Sequence, residues 1–171
     1  MLRQFIFSVA LALSLSAKAE NILLIGDSHT CGDFGAELFK QLSDVADTDV
    51  FLYCTSSSSP QNWWEGTTPA KQKCFERTEA GHKELCSGSG ETPTFKSLLE
   101  KHADAKVIIA LGTNTMLSPT LDRHYENIFN LLEQKERPCI WVGPPHLFES
   151  ESKGFPKGRL KIMEDNISKF Y

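Results

Sequence analysis

The chain alternates short apolar runs with stretches whose apolar residues recur at helical spacing. The runs predict buried strands, because they are brief and almost wholly apolar, and they lie at 21–25, 50–53, 107–111 and 139–142. Helical spacing predicts helices over 34–42, 95–102, 121–134 and 160–171. The alternation predicts the α/β class, as a three-layer α/β/α sandwich of flavodoxin-like type with a mainly parallel sheet.

The segment 61–92 interrupts this alternation. It contains Trp63, Trp64, two cysteines and several glycines, and shows little periodicity. We interpret it as a long excursion over the surface, of the kind that is usually functional or held by a disulfide. The two tryptophans either cover the core or form an aromatic platform for a sugar ring or an acyl group, and both interpretations stay open.

The first nineteen residues have the pattern of a signal peptide. Arg3 precedes a short apolar stretch, and Ala17 and Ala19 supply the small residues that a signal peptidase reads. We expect cleavage after Ala19, which leaves 20–171 as one domain of an exported protein, periplasmic or secreted. The apolar stretch is shorter than the ~20 residues that cross a bilayer, so no membrane span is expected after cleavage.

Charge and cysteine content narrow the possible partners. The formal net charge is −4 and there is no long basic run, so nucleic acid is not an expected partner. Five cysteines in an oxidising compartment should mostly pair. We predict a Cys74–Cys86 disulfide, note that Cys54 and Cys139 could approach each other from two strands, and expect one cysteine to remain over. The chain has no clustered metal-binding spacing, so no metal or cofactor is expected.

Polar residues follow three of the four predicted strands directly, at 26–29, 56–59 and 112–114. Parallel sheets bind ligands at the carboxyl ends of their strands, so these residues should converge on one edge. Ser28 lies at a strand-to-helix turn, where backbone N–H groups can stabilise an oxyanion. The alternative is that Asp27 and Ser28 only cap the helix.

Gly-Asp-Ser-His near the mature N-terminus, followed by Gly-Thr-Asn after a later strand, resembles the SGNH (GDSL-type) hydrolases over about 21–145. The resemblance implies that Ser28 is the nucleophile and that the Asn114 side chain donates to the oxyanion. The family's second donor is a glycine N–H, expected at 55–60. This chain has no glycine there, so we predict that the backbone N–H of Ser57 takes its place.

The family's terminal Asp-x-x-His block, which supplies the base and its orienting acid, does not occur in the mature chain. Two explanations stay open. The chain is truncated, in which case it is nearly inactive as written and an extension with this block restores activity. Alternatively, a histidine already present is the base, and His146 after the fourth strand is the best candidate. His29 should point away from Ser28, and three others are expected at ordinary surface positions, namely His82, His102 and His124.

The resemblance implies hydrolysis of an O-acyl ester through an acyl-serine intermediate, without a cofactor. Export and the tryptophans favour an acetyl ester on a cell-envelope carbohydrate as substrate. One alternative is a non-catalytic carbohydrate-binding domain of the same shape. Another is a lipase or thioesterase, which predicts an apolar acyl channel.

Overall fold

The computed structural model describes residues 20–87, 91–112, 114 and 121–142. In these residues, six strands form one sheet with the order β4-β3-β2-β1-β5-β6. Strand β1 pairs in parallel with β2 and β5, and β5 pairs in parallel with β6. Strand β3 is antiparallel to both of its neighbours, β2 and β4. The strands are β1 Glu20–Gly26, β2 Thr48–Thr55, β3 Lys73–Thr78, β4 Gly81–Ser87, β5 Lys106–Ala110 and β6 Cys139–Trp141.

Helices cover both faces of this sheet. They are α1 Ser28–Cys31, α2 Asp33–Ser43, α3 Pro60–Glu65, α4 Phe95–Lys101 and α5 Leu121–Gln134. Successive strand residues point to opposite faces. Leu23 and Ile25 therefore pack in one core with residues of α3, α4 and α5, while Leu24 packs in a second core with residues of α1 and α2. The predicted three-layer α/β/α sandwich with a mainly parallel sheet is confirmed.

The register of the central strands sets the position of the polar loops. Gly26, the last residue of β1, is level with Cys54 of β2 and with Ala110, the last residue of β5. All three strands run in the same direction. The residues that follow them therefore leave the sheet at one edge.

The interpretation of 61–92 as an irregular excursion is wrong. This segment contains most of α3 and the β3–β4 hairpin, which extends the sheet beyond β2. Helix α3 begins with a capping box between Ser59 and Asn62 and ends at Gly66 in the left-handed conformation. The first four residues of β4 are exposed, so this edge strand lacks the alternation by which a half-buried strand is recognised.

Two disulfides link the four paired cysteines. The predicted Cys74–Cys86 bond is confirmed, with a Cα–Cα distance of 5.1 Å. The second bond joins Cys31 to Cys54, so the suggested approach of Cys54 to Cys139 is wrong. Strands β1 and β5 separate Cys54, on β2, from Cys139, on β6. Cys139 is a free, half-buried thiol, and burial raises its pKa.

Two disulfides are consistent with export to an oxidising compartment. None of the described helices is long and apolar enough to cross a membrane. The predicted signal peptide, 1–19, and the predicted helix, 160–171, lie outside the described residues.

Candidate active site

The first polar loop is a tight turn between β1 and α1. Asp27 is buried and caps α1, its carboxylate accepting a hydrogen bond from the His29 N–H at 3.0 Å. Ser28 follows as the first residue of α1, and its side chain is exposed. Thr30 packs so closely on the end of β1 that a side chain at Gly26 would overlap it. Asp27 thus caps α1, as one of the two sequence interpretations proposed, and Ser28 next to it faces solvent.

The second loop places Ser57 in a conformation that usually requires glycine. Its φ is 58°, in the left-handed region. The flanking N–H groups are engaged, since Ser56 donates to Lys73 O and Ser58 donates to Thr55 O, both at 3.2 Å. The Ser57 N–H has no hydrogen-bond partner among the described residues. This exposed position thus has the backbone geometry of a glycine together with an available donor.

Ser58 fixes this loop to the core. It is fully buried, and its hydroxyl donates to Thr55 O at 2.7 Å. The same hydroxyl accepts a hydrogen bond from the Trp63 indole N–H at 3.0 Å. Trp63 is itself 1% exposed and belongs to the core, and half-buried Trp64 packs against that core. Of the two interpretations of the tryptophans, the core-covering one is correct for Trp63.

Asn114 joins the first and second loops. Its side-chain amide donates to the backbone carbonyl of Ser58 at 3.0 Å, and approaches the Asp27 carboxylate at 3.5 Å. The second distance is at the limit of a hydrogen bond. Residues after β1, β2 and β5 therefore meet at one edge of the sheet, with Ser28 and Asn114 at the same end. Of the two contacts of the Asn114 amide, the one with the Ser58 carbonyl is the shorter.

The histidines are distributed differently from the sequence prediction. His146 lies outside the described residues. His29 and His82 are exposed, whereas His102 and His124 are buried, so the expected surface position is wrong for these two. Helical and strand patterns do not reveal this burial, because histidine suits either environment.

The two buried histidines differ in their partners. The His102 ring stacks on Phe51, and its Nε2 lies 3.0 Å from the Tyr53 hydroxyl. His124 lies on α5, which packs against α3, and both of its ring nitrogens lack a hydrogen-bond partner within the described part of the chain. Burial lowers the pKa of both imidazoles. They are therefore neutral near pH 7.

A polar cluster that the sequence analysis missed lies between β2, β3 and α4. The Tyr53 hydroxyl donates to the Glu76 carboxylate and accepts a hydrogen bond from Lys101 Nζ at 2.8 Å. Lys101 also pairs with Glu76 at 2.9 Å. Burial, followed by the hydrogen bond to Glu76, raises the pKa of Tyr53 to about 12. The sequence does not indicate this cluster, because Tyr53 and Glu76 are neighbours only through the pairing of β2 with β3, and the apolar pattern does not predict β3.

No group of three or more His, Cys, Asp or Glu side chains in the described residues is arranged to hold a metal ion. At the sheet edge, the described groups are a hydroxyl, backbone N–H groups, an amide and a buried carboxylate. Such a set can position and polarise a carbonyl group.

The comparisons with known proteins leave the family undecided. No protein-family model matches the chain, and no curated protein matches it. Among solved structures, the chain is similar to a DUF4886 family protein from Bacteroides uniformis ATCC 8492, with 12% sequence identity and a TM-score of 0.47. The alignment covers 88% of this chain, which spans 62% of the length of that protein.

Proposed function

We propose that this protein is an exported serine esterase of the SGNH type, which hydrolyses O-acyl esters through an acyl-serine intermediate. The observation that carries the proposal is the position of the Asn114 amide, hydrogen-bonded to the Ser58 carbonyl and next to the Asp27 carboxylate. This contact brings the residues after three parallel strands together beside an exposed serine. The Ser57 φ supports the proposal further, because it supplies the glycine-like position that the resemblance requires.

In the proposed reaction, Ser28 Oγ attacks the carbonyl carbon of the ester while its proton passes to a base. The resulting oxyanion accepts hydrogen bonds from the Ser28 N–H, the Ser57 N–H and the Asn114 amide. Collapse expels the alcohol, which takes up the proton, and leaves an acyl-serine. Water then attacks this acyl group with the same base, releasing the carboxylic acid and restoring Ser28.

Asp27 contributes by position, because its carboxylate caps the first turn of α1, where Ser28 lies. The Ser58 carbonyl holds the Asn114 amide in place, and the N–H that makes the longer contact with Asp27 is the one that donates to the oxyanion in the proposed reaction. The favoured substrate is an acetyl ester on a cell-envelope carbohydrate. This preference rests on the predicted export, with which the two disulfides are consistent.

A histidine base is also required, and His146 is the proposed one on this chain. A serine hydroxyl is a weak nucleophile near neutral pH, so activity without a positioned base should fall by several orders of magnitude. His29 is the nearest alternative in sequence, but side chains of adjacent residues at the start of a helix do not face each other, so its ring should point away from Ser28. His124 is buried and neither of its ring nitrogens has a hydrogen-bond partner among the described residues, which fits a structural position instead.

The test is hydrolysis of an aryl acetate by the unsubstituted chain and by single variants. Ser28→Ala should abolish turnover, while Ser97→Ala, a matched change at an exposed serine on α4, should leave it unchanged. Loss of activity in His146→Ala, but not in His29→Ala, assigns the base. Weak activity in every variant indicates a base that is not among these histidines. Activity that survives Ser28→Ala contradicts the mechanism, and saturable binding of an acetylated glycan without turnover supports the non-catalytic alternative.

A further inference from the structure

We propose that the Cys31–Cys54 disulfide is a positioning element of the active site, which fixes the nucleophile relative to the loop that donates to the oxyanion. This inference rests on the proposed function. The disulfide acts through Ser28 and Ser57, and neither sulfur is assigned a contact with the substrate.

The placement of the two cysteines carries the inference. Cys31 is the last residue of α1, three positions after Ser28, and Cys54 lies on β2, three positions before Ser57. Their Cα atoms are 5.3 Å apart. The disulfide therefore gives the nucleophile turn and the second loop a covalent connection that does not pass through the sheet.

Helix α1 needs such a connection because it is only four residues long. Isolated helices of this length are not stable in water. Its backbone bonds run from Cys31 N–H to Asp27 O and from Gly32 N–H to the carbonyls of Ser28 and His29. These bonds are all local, and they shape the turn without holding it against β2. The burial of Thr30, the hydrogen bond from the Asp27 N–H to Ala110 O of β5 and the disulfide hold α1 to the sheet, and the disulfide is the covalent link among them, to β2.

The second disulfide provides a matched comparison. Cys74 and Cys86 are directly opposite each other on β3 and β4, two strands that the hairpin already pairs. Opening the Cys74–Cys86 bond does not release α1, and it leaves the Cys31–Cys54 link between the segments of Ser28 and Ser57 intact. The two disulfides should therefore differ in their effect on the site, although each of them cross-links the fold.

The test compares Cys31→Ala/Cys54→Ala with Cys74→Ala/Cys86→Ala by two independent measurements. Hydrogen–deuterium exchange of the folded proteins reports on the order of 26–36 and 55–59. The rate of covalent modification of Ser28 by an alkyl fluorophosphonate reports on the reactivity of the nucleophile. In this reaction the serine oxygen bonds to phosphorus, fluoride leaves and the hydroxyl proton passes to the base. We expect the first variant to show faster exchange in both segments and a maximal modification rate about 10- to 100-fold lower, the effect of a misplacement of about 1 Å. The reagent concentration for half-maximal rate should change less than about two-fold, because positioning affects the chemical step and not the binding of the reagent.

The second variant should resemble the unsubstituted protein in both measurements. If the first variant does not fold, both double variants and the unsubstituted protein are measured in sucrose, which stabilises the folded state, at a concentration at which all three are folded. Unchanged exchange at α1 in the first variant overturns the inference, and so does an equal loss of modification in the two variants. If the unsubstituted protein is never modified at Ser28, the proposed function fails, whereas the exchange data still decide whether the disulfide orders α1.

Discussion

The hydrogen bond from Trp63 to Ser58 should couple the hydrophobic core to the second loop. Trp63→Phe removes the indole N–H, which lies 3.0 Å from the Ser58 hydroxyl. The hydroxyl still donates to Thr55 O, so it loses one acceptor contact and is not left without a partner. The lost hydrogen bond should cost about 1 kcal/mol of unfolding free energy. The cavity left by the smaller ring should add about 1–2 kcal/mol, because Trp63 is fully buried.

A double-mutant cycle isolates the hydrogen bond from the cavity. Ser58→Ala leaves the buried indole N–H without a partner, which should cost about 1–3 kcal/mol. The double variant, Trp63→Phe with Ser58→Ala, should cost less than the sum of the two single changes by about 1 kcal/mol, measured by urea unfolding. Trp64→Phe is the matched control, since Trp64 is half-buried and Ser58 bonds to Trp63. Additive single changes, or an equal loss in Trp64→Phe, would refute the reasoning.

Three further predictions concern stability. Burial raises the pKa of Glu76, but hydrogen bonds from Lys101 and Tyr53 outweigh it and hold this pKa below its usual 4.5. The resulting stabilisation is present above about pH 4.5 and is lost as the pH falls through the lower folded pKa. Glu76→Gln should therefore flatten the acid limb of the stability curve, and an unchanged limb would contradict this. Burial lowers the pKa of His124 from 6.5, so the unfolded state binds a proton first as the pH falls, and stability should decrease below about pH 6.5. His124→Leu should remove this loss and raise the melting temperature at pH 5, because neither ring nitrogen has a hydrogen-bond partner among the described residues. A lower melting temperature would show that the imidazole has a partner. Loss of the Cys74–Cys86 bond, with a sequence separation of 12, should cost about 3 kcal/mol in urea unfolding, and non-reducing peptide mapping that finds both thiols free would contradict the pairing.

The central strands and the order of the layers were predictable because burial on both faces leaves a continuous apolar run in the sequence. The run at 21–25 falls within β1, and the helical spacing over 121–134 matches α5. The convergence of the three polar loops follows from the same parallel arrangement. These features depend on the local apolar pattern and on the parallel direction of the strands, which the alternation of strands and helices along the sequence indicates.

Other features depend on pairing partners that no local pattern specifies. Strand β4 is an exposed edge, so its polar residues resemble a loop. The choice of Cys31 over Cys139 as the partner of Cys54 depends on strand order, which places β1 and β5 between β2 and β6. The left-handed φ of Ser57 was equally hidden, because serine seldom adopts it and gives no sign of it in the sequence.

The central claim is that Ser28 is a nucleophile served by Asn114, and site mapping of a covalent adduct tests it most directly. The unsubstituted protein is incubated with an alkyl fluorophosphonate, digested and analysed by mass spectrometry, beside Ser28→Ala, Asn114→Ala and the control Ser97→Ala. The account predicts one adduct, on Ser28, that is absent in Ser28→Ala, unchanged in Ser97→Ala and formed about 10²- to 10³-fold more slowly in Asn114→Ala, the usual effect of removing an oxyanion donor. An adduct on another residue, or modification of Ser28 at an unchanged rate in Asn114→Ala, would contradict it.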